Sequence, residues 1–159
     1  MKDEVRYSDF DDLSFMQMAF GEAQKAAQRQ EVPIGAVLVD QDQQVLGRAG
    51  NSPIGLVDPT AHAEILVLKQ AGRAVDNYRL SGTTMYVSLE PCPMCMGAMV
   101  HARVARLVFG ALDPKGGAAV SKYEIGQDGK LNHSILIEQG PLAEECSTLL
   151  KDFFKARRK

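Results

Sequence analysis

Two short, well-separated runs hold the groups in this chain best suited to chemistry: Ala61-His62-Ala63-Glu64 and Glu90-Pro91-Cys92-Pro93-Met94-Cys95. From them come one imidazole, two thiolates and a spare carboxylate. Three nitrogen and sulfur ligands suit a zinc ion with one coordination position open, as in a catalytic site; a structural site closes with a fourth protein ligand. Neither His101 nor His133 has a comparable position in the sequence to supply that fourth ligand. A water in the open position becomes acidic enough to act as hydroxide near neutral pH. Glu64, two residues past His62, can reach it without ligating the metal and so serve as general acid and base. A carboxylate so placed could take a proton from water and return protons to a ring nitrogen and a departing ammonia, which is hydrolytic deamination. A thioredoxin-like redox pair at Cys92 and Cys95 would have no use for His62 or Glu64. A zinc-stabilised binding module without turnover would have no use for Glu64.

These side chains can meet only if two helix starts come together above a sheet. Thr83–Leu89 is a strand by its β-branched and aromatic content, and it runs straight into Glu90-Pro91-Cys92. A helix over Met94–Val100, with Pro93 tolerated in its first turn, sets both thiols at the positive end of a helix dipole, where thiolate is favoured. A second helix begins with the His62 segment, capped by Thr60, and its apolar face of Ile65, Leu66, Leu68 and Ala71 reaches as far as Ala74. Upstream, residues 9–29 follow a helical period through Phe10, Leu13, Met16, Phe20, Ala23 and Ala27, with Ser8 or Asp9 as N-cap. Ile34–Val39 and Gln44–Ala49 pair as a hairpin, and Asn51–Thr60 is loop. Arg106–Phe109 and Ile135–Ile137 are the remaining strands. Between them lies a polar, glycine-rich connection over 111–133, of the kind that often carries function. A last helix spans Pro141 to Arg157. Alternating strands and helices give an α/β fold: a three-layer α/β/α sandwich around one mixed five-stranded sheet, with 1–159 as a single domain.

Composition sets other classes aside. A chain of 159 residues with 45% hydrophobic and 24% charged residues is ordinary for a soluble globular protein. No apolar run approaches the roughly 20 residues of a membrane span. The charged start Met1-Lys2-Asp3-Glu4-Val5-Arg6 lacks the apolar core of a secretory leader, so a cytoplasmic protein with no membrane association is expected. The net charge of −2 hides an asymmetry. Residues 1–12 are acidic, whereas 151–159 hold Lys151, Lys155, Arg157, Arg158 and Lys159 against Asp152, with Phe153 and Phe154 among them. Such a tail could contact phosphates and stack a base, or be a solvated helix end whose cations suit the C-terminal dipole. Cys146 stands alone among helical residues and reads as a small buried apolar group.

His-x-Glu paired with Pro-Cys-x-x-Cys is the signature of zinc-dependent nucleobase deaminases, and the likeness extends along nearly the whole chain. Glu31–Leu38, Asn51-x-Pro53-Ile54-Gly55, Asp58–Glu64, Asn77-Tyr78-Arg79-Leu80, Leu89–Met99, Val108–Ala111, Leu131-Asn132-His133 and Asp152-Phe153-Phe154 resemble the bacterial tRNA-specific adenosine deaminases of the cytidine/deoxycytidylate deaminase superfamily. The resemblance implies a cytidine deaminase-like fold and one zinc ion per subunit on His62, Cys92 and Cys95, with Glu64 as proton shuttle. It implies that Asn51 and the backbone at Ala63 hold the target base and that Ile34 lines its pocket. Lys115, Asn132, His133, Phe154 and Arg157 become RNA contacts. It further implies a homodimer acting on a tRNA anticodon stem-loop, making inosine at the wobble position of an arginine tRNA. The alternative is deamination of a free base, nucleoside or nucleotide such as guanine, cytosine or dCMP, which the zinc residues do not distinguish. The basic tail and the extent of the match favour RNA. Between Ser121 and Lys130 the chain departs from the more apolar, leucine-containing segment of many relatives, where substrate contacts are expected.

Overall fold

In a computed structural model that describes residues 5–158, the elements run α1 (Asp12–Gln28), β1 (Gly35–Val39), β2 (Val45–Gly50), α2 (Pro53–Leu56), α3 (Ala63–Val75), β3 (Thr84–Leu89), α4 (Pro93–Ala102), β4 (Arg106–Ala111), β5 (Leu136–Gln139) and α5 (Ala143–Arg157). Asp3 and Glu4 of the acidic start and Lys159 of the basic end lie outside the described residues. The strands form one five-stranded sheet in the order β2-β1-β3-β4-β5. β1 pairs antiparallel with β2 and β3, whereas β3–β4 and β4–β5 are parallel, so the sheet is mixed as expected.

Both faces are covered, which is why β1, buried at all five positions, is a continuous apolar run and not an alternating one. On one face α1 sets Phe15, Met16 and Ala19 against Val37, Val39, Tyr86 and Val108, and α5 packs over β4. On the other, α3 and α4 bury Val67, Ala71, Met96 and Met99 against Leu38, Met85, Val87 and Leu107. A strand, α4 and a parallel strand make a crossover unit whose helix starts at the carboxyl end of β3. In open α/β sheets, ligands gather at that edge.

Local chemistry moves several element ends. α1 is capped by Asp11, whose side chain accepts from the Ser14 N–H, instead of by Ser8 or Asp9; Tyr7–Asp9 forms a separate 3-10 turn. Within the expected loop 51–60, Pro53 at the first helical position starts the one-turn α2. The last strand is Leu136–Gln139, one residue later than its apolar run suggests. At the amino ends of β3 and β4, buried Arg106 binds Asp12 through Nη1 and Nη2 at 3.0 and 2.8 Å and Glu138 through Nε and Nη2 at 3.3 and 3.2 Å. The Tyr86 hydroxyl donates to the same Asp12 carboxylate. This cluster ties the start of α1 to the sheet end remote from His62 and Cys92.

Candidate active site

His62 and Cys92 are the N-cap residues of α3 and α4, both in extended backbone, and neither side chain caps its own helix. They turn towards each other. His62 Nδ1 lies 3.6 Å from Cys92 Sγ and 3.5 Å from Cys95 Sγ, and the three atoms all fall within 4.8 Å of one another. Bonds of about 2.3 Å to sulfur and about 2.0 Å to nitrogen, meeting at the tetrahedral angle, put nitrogen and sulfur about 3.5 Å apart. The donor set and its spacing therefore fit a zinc ion. His101 and His133 do not join the cluster.

The cap of α3 comes from elsewhere in the chain, not from Thr60. Asn51 Oδ1 accepts from the Ala63 N–H at 2.8 Å, satisfying an orphan donor of the first turn. This bond joins two residues expected at the base, and it leaves Asn51 Nδ2 without a protein partner among the described residues. Asn51 itself is held by Ile34, whose carbonyl accepts from the Asn51 N–H at 2.9 Å. Ile34, Asn51 and Ala63 are thus linked in one chain of hydrogen bonds that ends beside His62.

Glu64, in the first turn of α3, is 3% exposed. Burial pushes its carboxyl up to about 7, so both protonation states are accessible near neutrality, as general acid–base exchange requires. Without metal, hydrogen bonding from Cys95 and then from His62 brings the Cys92 thiol down to about 4, while the Cys95 thiol, sharing that bond and buried, is pushed up. The bond with Cys92 raises His62.

Beside Leu89, at the carboxyl end of β3, opens a groove of about 870 Å³ that brings together Ile34, Lys115, Phe154 and Arg157. Lys151 and Arg158 also line it, against Asp113 alone among acids. Phe154 is 43% exposed there, while Arg157 stacks on Phe153 at 4.7 Å and donates to the Gln30 carbonyl at 2.9 Å. Asn132 and His133 are not brought to this groove. Asn132 Oδ1 accepts from Arg103 at 3.2 Å, and His133 Nε2 lies 2.7 Å from the Val104 carbonyl. Both sit past the far end of the ten-residue α4, about 15 Å from its start at 1.5 Å per residue. In the divergent 121–130 segment, Ile125 packs against the core while Tyr123 is exposed. Cys146 is buried against Gly110, and burial pushes its thiol up to about 11.

Two groups near the site escape a reading by residue type, the buried carboxylates Glu31 and Glu90. Glu31 accepts from the N–H groups of Ile54 and Gly55 at 3.1 and 2.8 Å, fixing the turn after Asn51. Their signal in the sequence is an acid beside an apolar strand followed by backbone-rich loops.

The MafB19-like deaminase family model matches residues 10–158. The tRNA-specific adenosine deaminase of Haemophilus influenzae is 48% identical over 151 residues, covering 95% of this chain and 87% of its own. A solved structure from work on A-to-I editing by tRNA:A34 deaminases at the wobble position of transfer RNA superposes with a TM-score of 0.83 at 44% identity, covering 87% of this chain and 99% of that one. A guanine deaminase from Bacillus subtilis is more distant, at 27% identity and a TM-score of 0.63 over 94% of each chain.

Proposed function

Since the chain belongs to the MafB19-like deaminase family and to the tRNA-specific adenosine deaminases, we propose that it hydrolyses adenosine to inosine at the wobble position of a tRNA anticodon, in an arginine tRNA. His62, Cys92 and Cys95 hold one zinc ion per subunit, and the whole of 1–159 acts as one deaminase domain. The carrying observation is that the groove uniting Ile34, Lys115, Phe154 and Arg157 opens beside Leu89, three residues before Cys92 of the ligand cluster. A cationic groove with an exposed aromatic suits a single-stranded RNA loop, and an anticodon base is cheaply unstacked into a pocket. A free base needs neither feature.

Bound zinc supplies the Lewis acidity that makes water a nucleophile near neutral pH. Asn51 Nδ2 and the Ala63 backbone orient the base, with Ile34 against its ring. Glu64 relays both protons of the attacking water, the first to the ring nitrogen as water adds and the second, from the added hydroxyl, to the amino group that leaves as ammonia. One carbon–oxygen bond forms as the carbon–nitrogen bond of the amidine breaks.

The protein acts in the cytoplasm as a homodimer. What supports the dimer is a second groove of about 810 Å³ between α3 and α4, where Ile65, Leu68, Tyr78 and Ala98 leave apolar surface open. No helix among the described residues is long and apolar enough to cross a membrane. Asn132 and His133 reach RNA only if it extends past the end of α4. The decisive assay offers the protein an arginine tRNA anticodon stem-loop, free adenosine, cytidine and guanine, and measures inosine and ammonia. Inosine in the stem-loop is expected; ammonia from guanine or cytidine without it would overturn the reading.

A further inference from the structure

Glu90 is buried at the end of β3, two residues before Cys92, and the chemistry above does not use it. A buried carboxylate persists only with donors, and none of its donors is a cation. Oε1 accepts from the Asp113 N–H at 3.1 Å and from the Ser121 hydroxyl. Oε2 accepts from the N–H groups of Ala119, Val120 and Ser121 at 3.2, 2.9 and 2.9 Å. All of them belong to one stretch, 113–121. The next residue adds a tie, since the Pro91 carbonyl accepts from the Ala118 N–H at 2.8 Å.

Gly117 lies directly across the carboxylate. A Cβ there would come within 2.3 Å of Glu90 Cδ and 2.4 Å of Oε2, so no side chain fits while the carboxylate holds the loop. Within the loop, Asp113 Oδ1 accepts from the N–H groups of Lys115 and Gly116, both at 3.1 Å. Lys115 is thereby set into the groove with Phe154 and Arg157.

We propose that Glu90 is a positioning residue: its carboxylate fixes the 113–121 loop as a wall of the substrate groove and acts through Lys115 on RNA engagement, not on bond breaking or metal retention. This rests on the RNA reading above. An apolar residue could fill the space at 90, but only an acceptor of this valence selects one loop conformation, because any other leaves a buried charge unsatisfied.

The test measures inosine formation in the arginine anticodon stem-loop by the wild type, Glu90→Gln, Lys115→Ala and the double variant. Glu90→Gln keeps the volume but turns one acceptor into a donor facing N–H groups. Its KM should rise roughly tenfold, the scale of a lost hydrogen bond to a charged group. Its kcat should stay within roughly threefold, with zinc per chain unchanged. Lys115→Ala should raise KM in the wild type and much less beside Glu90→Gln, since acting through one path makes the two non-additive. Additive effects on KM, or a loss confined to kcat or zinc content, would overturn the role. If Glu90→Gln does not fold, Ser121→Ala, which removes only the hydroxyl donor, takes its place in the cycle: non-additive KM effects support the role and additive ones overturn it. Wild type forming no inosine overturns the RNA reading and this role with it. Wild type active on the stem-loop with additive variants overturns this role alone.

Discussion

Glu64 sits in the first turn of α3, one residue beyond the N–H that Asn51 caps, and burial rather than a neighbouring charge sets its proton affinity. That position would let it reach a water on the bound metal without itself being a ligand. Glu64→Gln preserves shape while removing the exchangeable proton, so kcat should fall by at least roughly 10² to 10⁴. Zinc per chain, by metal analysis, should be unchanged, because the three ligand atoms are elsewhere. Appreciable turnover in Glu64→Gln would take the proton-shuttle role away from Glu64. These side chains were legible in the sequence because their chemistry is local to two runs. Glu31 and Glu90 were not, since their partners are backbone N–H groups of distant loops, which no pattern of side-chain types displays.

At the scale of elements, the apolar period found α1 and α3, and the sequence also placed α4 and α5, yet caps and ends moved. Asp11 displaces Ser8 and Asp9 because its carboxylate reaches the Ser14 N–H, and Asn51 serves α3 from 12 residues away. Sequence shows which residues can cap, not which helix start they will meet. The Arg106 cluster is equally invisible from spacing, for Asp12 lies 94 residues from its partner. Arg106 is 2% exposed at its side chain, so losing one anion leaves a buried cation half-matched. Asp12→Ala should destabilise by about 2–3 kcal/mol, read as a lower urea midpoint with zinc and substrate affinity retained. An unchanged midpoint would mean that Glu138 alone suffices. The opposite sign is expected on β3, where the buried Thr84 hydroxyl has no partner among the described residues. Thr84→Val should raise stability by about 1 kcal/mol by removing an unsatisfied group. A destabilised variant would mean the hydroxyl is hydrogen-bonded after all.

Taken as a whole, the molecule separates its fixed end from its working end. The Arg106 cluster locks the amino ends of β3 and β4, while the ligand atoms, the groove and the loops held by Glu31 and Glu90 lie at the other edge of the sheet. The basic tail of the sequence acquires meaning only there, because α5 carries Lys151, Phe154 and Arg157 to the same groove as Lys115, from the other end of the chain. Point charges and stacking should then separate in RNA binding. Lys151→Ala with Arg158→Ala removes point charges, so the slope of log K against log salt should fall by roughly 0.7 for each phosphate of a single-stranded loop that is no longer neutralised. Phe154→Ala removes a stacking face and should weaken binding by about 1–3 kcal/mol at every salt concentration, leaving the slope alone. Arg157 serves neither comparison cleanly, since its guanidinium also stacks on Phe153 and holds the Gln30 carbonyl. Binding measured by fluorescence anisotropy on a labelled anticodon stem-loop across a salt series gives both quantities. A slope unmoved by the double variant, with affinity unmoved by Phe154→Ala, would make the tail a solvated helix end and leave the choice of RNA to the loop that Glu90 holds.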